Sequence, residues 1–345
     1  MAGLQRSWAR YKLRLRRKRF LWRAMFKRWQ MSRVSLKTQL IQPRDILLFA
    51  TVRNEMLRLP HFLSHYRKIG VGHFLIVDNA SDDGSAEFLK EQPDVSLWRS
   101  GASYKASRFG MDWLTGLQWR YGHGRWVITV DADELFIYPD WESRSLSDLA
   151  ADLDQKGLCG MGALMLDLYP KGPIGGKKYA PGQNPTDVLA WFDSHGYWVQ
   201  RQTKMDNLWT QGGPRARHFF AGTPNLSPTL NKIPMVRWDR SFVYVNSTHN
   251  ALPIELNRTY DEVGTIKPQG VLLHTKFLPD AVTRAVEEKR RGEHFASSGP
   301  YYDYYDRLAD NPNFWSEESV AFEGARQLEE LGLMSRGNLD RTNDG

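Results

Sequence analysis

Val127-Ile128-Thr129-Val130-Asp131-Ala132-Asp133-Glu134-Leu135-Phe136 is the stretch that decides how this chain folds. Four β-favouring residues run into three carboxylates spaced around one alanine. A short continuous apolar run is the pattern of a buried strand in a parallel sheet. In an open α/β sheet the ligand crevice lies beyond the carboxyl ends of such strands. Asp131 and Asp133, two apart on an alternating extended backbone, are therefore expected to face that crevice from the same side. Carboxylates so close repel one another unless a cation stands between them. A hard divalent ion, Mg²⁺ or Mn²⁺, held by one or two carboxylates and completed by water and phosphate oxygens, meets that need. A solvated turn would carry the same Asp-x-Asp without chemistry; the strand in front of it favours the metal.

Ile46-Leu47-Leu48-Phe49-Ala50-Thr51-Val52-Arg53-Asn54-Glu55 and Phe74-Leu75-Ile76-Val77-Asp78-Asn79 are two further apolar runs ending in polar residues. Between them Leu59, Phe62, Leu63, Tyr66 and Ile69 recur at helical spacing, closed by Gly70 as a C-cap. This is a βαβ unit, with a right-handed crossover expected from backbone chirality. Its strand ends offer Glu55 and Asp78 as acceptors for the imide of a base or the hydroxyls of a ribose. The loop Asn79–Ser85 is rich in turn formers, with Ser81 or Asp83 placed to cap a helix over Ser85–Glu91.

Four ordered motifs now stand together: Thr51-Val52-Arg53-Asn54-Glu55; Leu59-Pro60-His61-Phe62-Leu63-Ser64-His65-Tyr66; Val77-Asp78-Asn79-Ala80-Ser81-Asp82-Asp83-Gly84-Ser85; and Asp131-Ala132-Asp133-Glu134. In this order the chain resembles the nucleotide-sugar half of family two glycosyltransferases. More closely it resembles their bacterial type-four branch, which is related to the family ninety-two enzymes. The resemblance is strong over residues 45–140 and loose over 141–290. It implies an α/β sandwich of the GT-A type with a mostly parallel central sheet, and inverting transfer from a nucleoside-diphosphate sugar. It also implies donor contacts from Thr51, Arg53, Asn54, Glu55, Asp78, Asn79 and Asp83, with Asp131 and Asp133 serving the ribose and the metal. The chain lacks the Gln-x-x-Arg-Trp signature of the processive synthases, and no run of 18 apolar residues is present.

Downstream, Leu146–Gln155 reads as a helix opened by Ser145, and Met161–Tyr169 as a strand. Lys171–Asn184, punctuated by glycines and by prolines at 173 and 181, is a candidate lid or a plain insertion. Gly212-Gly213-Pro214-Arg215 permits close backbone approach, and Arg215 or Lys232 would neutralise a leaving diphosphate. Similar segments accompany the acidic motif in the resembled branch. For a third metal ligand, His249 and His274 both follow strand-like runs; His274 ends the cleaner one and is preferred. An inverting transfer also needs a carboxylate base. Asp193, Asp206 and Asp239 follow the metal motif, with Asp239 preferred.

At 345 residues and 41% apolar, the chain can bury a substantial core. The single Cys159 excludes an intramolecular disulfide, fits a reducing compartment and, in its apolar surroundings, is expected to be a buried thiol. Charge is uneven. Residues 1–44 hold 14 Lys and Arg and no Asp or Glu, which leaves 33 against 39 in residues 45–345, a net of −6. Trp8, Tyr11, Leu15, Trp22, Met25, Phe26 and Trp29 recur at helical spacing among those charges, broken at Lys18 and Arg19. A basic helix carrying Trp and Phe suits a membrane interface. Residues 1–44 are accordingly expected to be an arm that rests on an anionic membrane surface, with nucleic acid the less favoured partner. The expected division is this arm, a catalytic domain over 45–290 split near 140, and a helical segment with a tail over 291–345. The protein is expected to be cytoplasmic and peripheral at the inner face of the membrane, with a glycan or lipid-linked acceptor. A phosphatase of the haloacid-dehalogenase type is disfavoured because its Asp-x-Asp lies on the first strand. A nucleotidyltransferase is disfavoured because Thr51–Asn54 has no glycine. A non-catalytic protein using only its basic arm is the remaining alternative.

Overall fold

The computed structural model describes residues 2–259, 267–291 and 299–339. Nine strands form the central sheet. They are β1 (Ser32–Ser35), β2 (Ile46–Val52), β3 (Val71–Asp78), β4 (Val95–Arg99), β5 (Trp126–Thr129), β6 (Glu134–Ile137), β7 (Gly160–Asp167), β8 (Asn231–Arg237) and β9 (Gln269–His274). Their spatial order is β1-β4-β3-β2-β5-β8-β7-β9-β6. The sheet is mixed but mostly parallel in direction. β2, β3, β4, β5, β7 and β9 run one way, and β1, β6 and β8 run against them.

The β2–β3 pair is parallel from Leu47↔His73 to Val52↔Asp78, with α2 (Leu59–Lys68) as the crossover. Alternation along β2 sends its residues to two apolar layers. Leu48 and Ala50 join Phe62 and Tyr66 of α2 and Leu149 of α5 (Leu146–Gln155). Leu47 and Phe49 join Trp113, Leu114 and Leu117 of α4 (Met111–Leu117). All of these are essentially inaccessible to water, and each large one stabilises the fold by about 1.5–3 kcal/mol of transfer free energy. Helix α5 starts as expected: Ser145 Oγ accepts from Asp148 N–H while the Asp148 carboxylate accepts from Ser145 N–H. Helix α3 (Ser85–Glu91) begins after Gly84, with Asp83 accepting from Ser85 N–H just ahead of it.

The expected arm is a docked helix, α1 (Ala2–Lys27), followed by the edge strand β1. The boundary at residue 44 is thus crossed by strand pairing: Ser32 lies opposite Arg99 of β4. The boundary at residue 290 lies beyond α6 (Gly213–Phe219) and is crossed by α7 (Ala281–Arg291) and α8 (Gly299–Ala309), which contact each other, and by Tyr304 and Leu308, which belong to the main core. The expected tail falls partly on residues 340–345, outside the described residues. Cys159 is exposed, contrary to expectation, because it precedes β7 in the turn after α5. Among the described residues, no helix is long and apolar enough to cross a membrane.

Candidate functional site

The chain turns directly after β5, with Asp131 and Asp133 in that turn and Glu134 opening β6. Strand register then decides what meets it. β6 runs antiparallel to β9 with Glu134 opposite His274, and β9 runs parallel to β7 with His274 beside Asp167. His274 is therefore delivered between two acidic strand ends. Its Nδ1 lies 2.5 Å from Asp167 Oδ1 and its Nε2 lies 3.3 Å from Asp133 Oδ2. Burial opposes the imidazolium, but Asp133 and Asp167 outweigh it and hold the histidine pKa above its ordinary value. The same pairing, against the cost of burial, keeps Asp133 well below the usual carboxylate range. Asp167 is itself fixed by Arg215 Nε at 2.7 Å, so the imidazole is held by a carboxylate that is held by a guanidinium.

On the other side of the turn, Lys232 rises from β8. Its ammonium donates to Asp131 Oδ2 at 3.0 Å and to Glu134 Oε1 at 2.7 Å while being almost wholly buried. Desolvation pushes the Glu134 carboxyl up to about 7 in spite of Lys232. The second Glu134 oxygen accepts from Asp131 N–H, which shapes the turn. Lys232 is therefore committed to the acidic turn.

Asp131, Asp133 and Glu134 offer oxygens within 4.8 Å of one another, a group that can hold a divalent cation. Glu134 is the least available of the three, being 1% exposed and engaged at both oxygens. Asp131 keeps 40% of its side-chain surface exposed. Asp131 and Asp133 are thus the more available carboxylates, and His274 Nε2 joins them as a ligand when an ion takes the place of its proton and of its pairing with Asp133. An imidazole whose far nitrogen is held by a carboxylate is the usual orienting arrangement for a metal ligand.

These groups line a cleft of about 390 Å³ beyond the carboxyl ends of β2 and β5, within the range of small-ligand sites. Of the expected donor residues, Thr51, Arg53, Glu55, Asn79, Asp131, Arg215 and Lys232 line it. Thr51 Oγ1 and Arg215 Nη2 are buried there with no hydrogen-bond partner among the described residues. Gly110, at φ +75°, lies against Thr51, and a Cβ there would stand 2.5 Å from the threonine hydroxyl; glycine is required for that close approach.

Several expected contacts are otherwise employed. Both Glu55 oxygens are clamped by Arg284 of α7, at 2.9 and 2.5 Å, so Glu55 forms a wall of the cleft and is no free acceptor for a base. Arg53 donates to the carbonyls of Asn79 and Ala80 and fixes the loop after β3. Asn54 and Asp83 do not line the cleft. Asn54 sits at φ 52° and accepts from Asp82 N–H, and Asp83 accepts from Met56 N–H and from Ser85. Asp78 is fully buried, outside the cleft lining, and both its oxygens accept from Ser81 N–H. It shapes a turn.

His249 lines the cleft, but its Nδ1 is engaged by the Asn231 carbonyl at 2.7 Å, and burial pushes its pKa down to about 3. The three candidate bases lie elsewhere. Asp239 is half exposed beside His123 and caps the Ser241 turn. Asp206 pairs with Arg258, and Asp193 is held by Arg217 and by the Tyr169 hydroxyl. Each is consumed by a local partner, and proximity in sequence to the acidic motif did not bring any of them to the cleft. The segment Lys171–Asn184 does not line it either: Ile174 N–H is bonded to the Pro312 carbonyl and Gly175 N–H to Asn311.

Among the lining residues without a sequence signal, Lys276, Glu288 and Arg284 matter most for charge. Lys276 follows β9, and burial lowers its pKa while Asp133 offsets part of that effect. Glu288 and Arg284 both come from α7. The helical spacing of Arg284 and Glu288 (i, i+4) places both on one face of α7, a pattern that becomes meaningful only once that face is known to border a cleft.

No known protein family matches the chain, and no curated protein matches it. Among solved structures the chain is similar to a crystal structure of 4-diphosphocytidyl-2C-methyl-D-erythritol synthase, with 18% sequence identity and a TM-score of 0.25, over 41% of this chain and 66% of that one.

Proposed function

We propose that this protein is a metal-dependent, inverting glycosyltransferase of GT-A architecture that moves a sugar from a nucleoside-diphosphate donor to a glycan or lipid-linked acceptor in cell-surface polysaccharide synthesis. The observation that carries it is the convergence of Asp133 Oδ2 and His274 Nε2, 3.3 Å apart at the acidic turn, with the other imidazole nitrogen fixed by buried Asp167. The four ordered motifs of residues 51–134 are its second support. Such a protein would work in the cytoplasm, held peripherally at the inner face of the membrane.

Asp131, Asp133 and His274 would hold Mn²⁺ or Mg²⁺, and the ion when bound supplies Lewis-acid charge toward the leaving diphosphate. Lys232 keeps the acidic turn folded so that those three side chains stay convergent. Arg215 and Lys276 bring fixed positive charge to the same cleft, where it offsets charge building on the departing nucleoside diphosphate. Glu288, a carboxylate on α7 that lines the same cleft, takes the acceptor proton. As that O–H bond breaks, the acceptor oxygen bonds to the anomeric carbon. The sugar–phosphate bond breaks in the same event, and its electron pair leaves with the nucleoside diphosphate.

A screen of UDP- and GDP-sugars with Mn²⁺ or Mg²⁺, reading release of nucleoside diphosphate, tests this. Cation-dependent release that disappears in Asp133→Asn is expected. Release from no donor, or equal release by the variant, overturns the proposal. Glu288→Gln should keep donor affinity while losing transfer to an acceptor; unchanged transfer would remove Glu288 from the role of base.

A further inference from the structure

Helix α1 buries one face and leaves another bare. Ala24 is fully buried, and Leu13, Phe20 and Leu21 pack on the apolar cluster of Met205, Val243, Val245 and Leu252. A second face is apolar and bare: Trp8, Tyr11, Leu15, Trp22, Phe26 and, just past the helix end, Trp29 are all exposed, the last three at 65%, 70% and 80%. At 100° per residue these six positions fall within about 60° of the helix circumference, a single stripe. Lys12, Lys18 and Arg19, all exposed, border it. Exposed large apolar side chains are otherwise scattered over the described residues, so this stripe is a local concentration that folding leaves uncovered.

We infer that α1 docks the protein on an anionic phospholipid bilayer, with the Trp8–Trp29 stripe in the interface and the flanking lysines and arginines on the headgroups. Charge complementarity selects this occupant. Residues 1–44 carry 14 basic and no acidic residues while the remainder of the chain is net negative, so the attraction is confined to the segment that bears the aromatics. Indole and phenyl rings alternating with basic side chains match an interface that is apolar below and negatively charged above. The helix is also fastened to the protein and is no loose tether. Arg23 pairs with buried Asp112 at 2.9 Å, and the Arg108 guanidinium, itself bonded to Asp112, lies 4.0 Å over the Phe20 ring. Arg23 and Lys27 both donate to the Ala106 carbonyl, at 3.0 and 2.9 Å. Ala106 lies between Tyr104 and Phe109, which line the cleft. The bilayer-facing helix and one wall of the cleft are thus one hydrogen-bonded unit, which favours an acceptor carried in that same bilayer.

Docking does not depend on the transferase activity and is tested without donor. Full-length protein is sedimented with phosphatidylglycerol-containing vesicles, with phosphatidylcholine vesicles and with single-stranded DNA, at low and physiological salt, alongside light scattering for oligomeric state. Binding to the anionic vesicles is expected, with partial persistence at physiological salt and a blue shift of tryptophan emission. Replacing Trp22, Phe26 and Trp29 together by Ser should weaken it by at least about ten-fold, with circular dichroism and the melting temperature unchanged. Absence of vesicle binding overturns the inference. So does DNA binding that falls steeply with salt in place of vesicle binding, or a dimer that the triple substitution dissolves. Should the triple variant not fold, the emission shift of the wild-type protein decides alone.

Discussion

Asp78, Asp82 and Asp83 follow one strand of the sheet, Asp131, Asp133 and Glu134 follow another two strands away, and in the sequence the two acidic ends look alike. In the fold they differ in where their partners come from. Asp78 accepts from the amide of Ser81, three residues on, with only a half-exposed cation, Arg99, at 3.5 Å, and Asp83 accepts from Ser85 and from the amide of Met56. The acidic turn is met instead by side-chain cations from remote strands: Lys232, 101 residues from Asp131, and His274. Carboxylates answered by nearby amides build a loop. Carboxylates answered by buried cations carry field into a cleft, since the interior screens charge far less than water does.

The largest effect expected from this contrast is that of Lys232→Met. It leaves Glu134, 1% exposed, without its compensating charge, and should cost about 3–5 kcal/mol in urea denaturation. A loss below about 1 kcal/mol would mean that the turn does not depend on its remote cation. Asp133→Asn should lower the urea midpoint modestly, because it takes from buried His274 one of its two carboxylates, and lower donor turnover on the order of 100-fold, about 2.7 kcal/mol of transition-state stabilisation. Retained turnover at saturating donor would reduce the acidic turn to the same structural part that Asp78 plays. For Asp78→Ala the expectation reverses: stability falls by about 1–3 kcal/mol as Ser81 N–H loses its acceptor, while calorimetric affinity for a nucleoside diphosphate stays constant. A clear fall in affinity with unchanged stability would return Asp78 to the binding site. The smallest effect belongs to Asp239→Ala, at a half-exposed carboxylate outside the cleft. Stability should shift within about 0.5 kcal/mol and turnover not at all; a dead enzyme would place the acceptor on that remote face.

Much of the first half of the fold was legible because it is local. Apolar runs, a 3.6-residue period over Leu59–Ile69 and the Ser145 cap report on neighbours within a few residues, and the observed β2, α2, β3 and α5 follow them closely. The acidic turn was legible for the same reason, as a strand followed by carboxylates. His274 was singled out as the end of a clean apolar strand, and its neighbour Lys232 was expected to face a phosphate. Asp167, which orients the histidine, passed as the interior of an ordinary strand. The three aspartates proposed as bases show the limit: position after a motif carries no information about distance in space once the chain has crossed the sheet.

An α/β sheet with a βαβ opening, an acidic strand end suited to a divalent ion and a basic aromatic segment at residues 1–44 are each written in periodicity or in adjacent residue types. The tertiary structure alone decided which carboxylates are spent on loops, which cation neutralises which acid, that Glu55 is clamped by Arg284, and that the basic segment lies fastened to α4 with one aromatic face bare. Those outcomes depend on strand register and helix docking between residues far apart in the chain, and a one-residue shift of β9 against β6 and β7 would turn His274 to the other face of the sheet and dismantle the site.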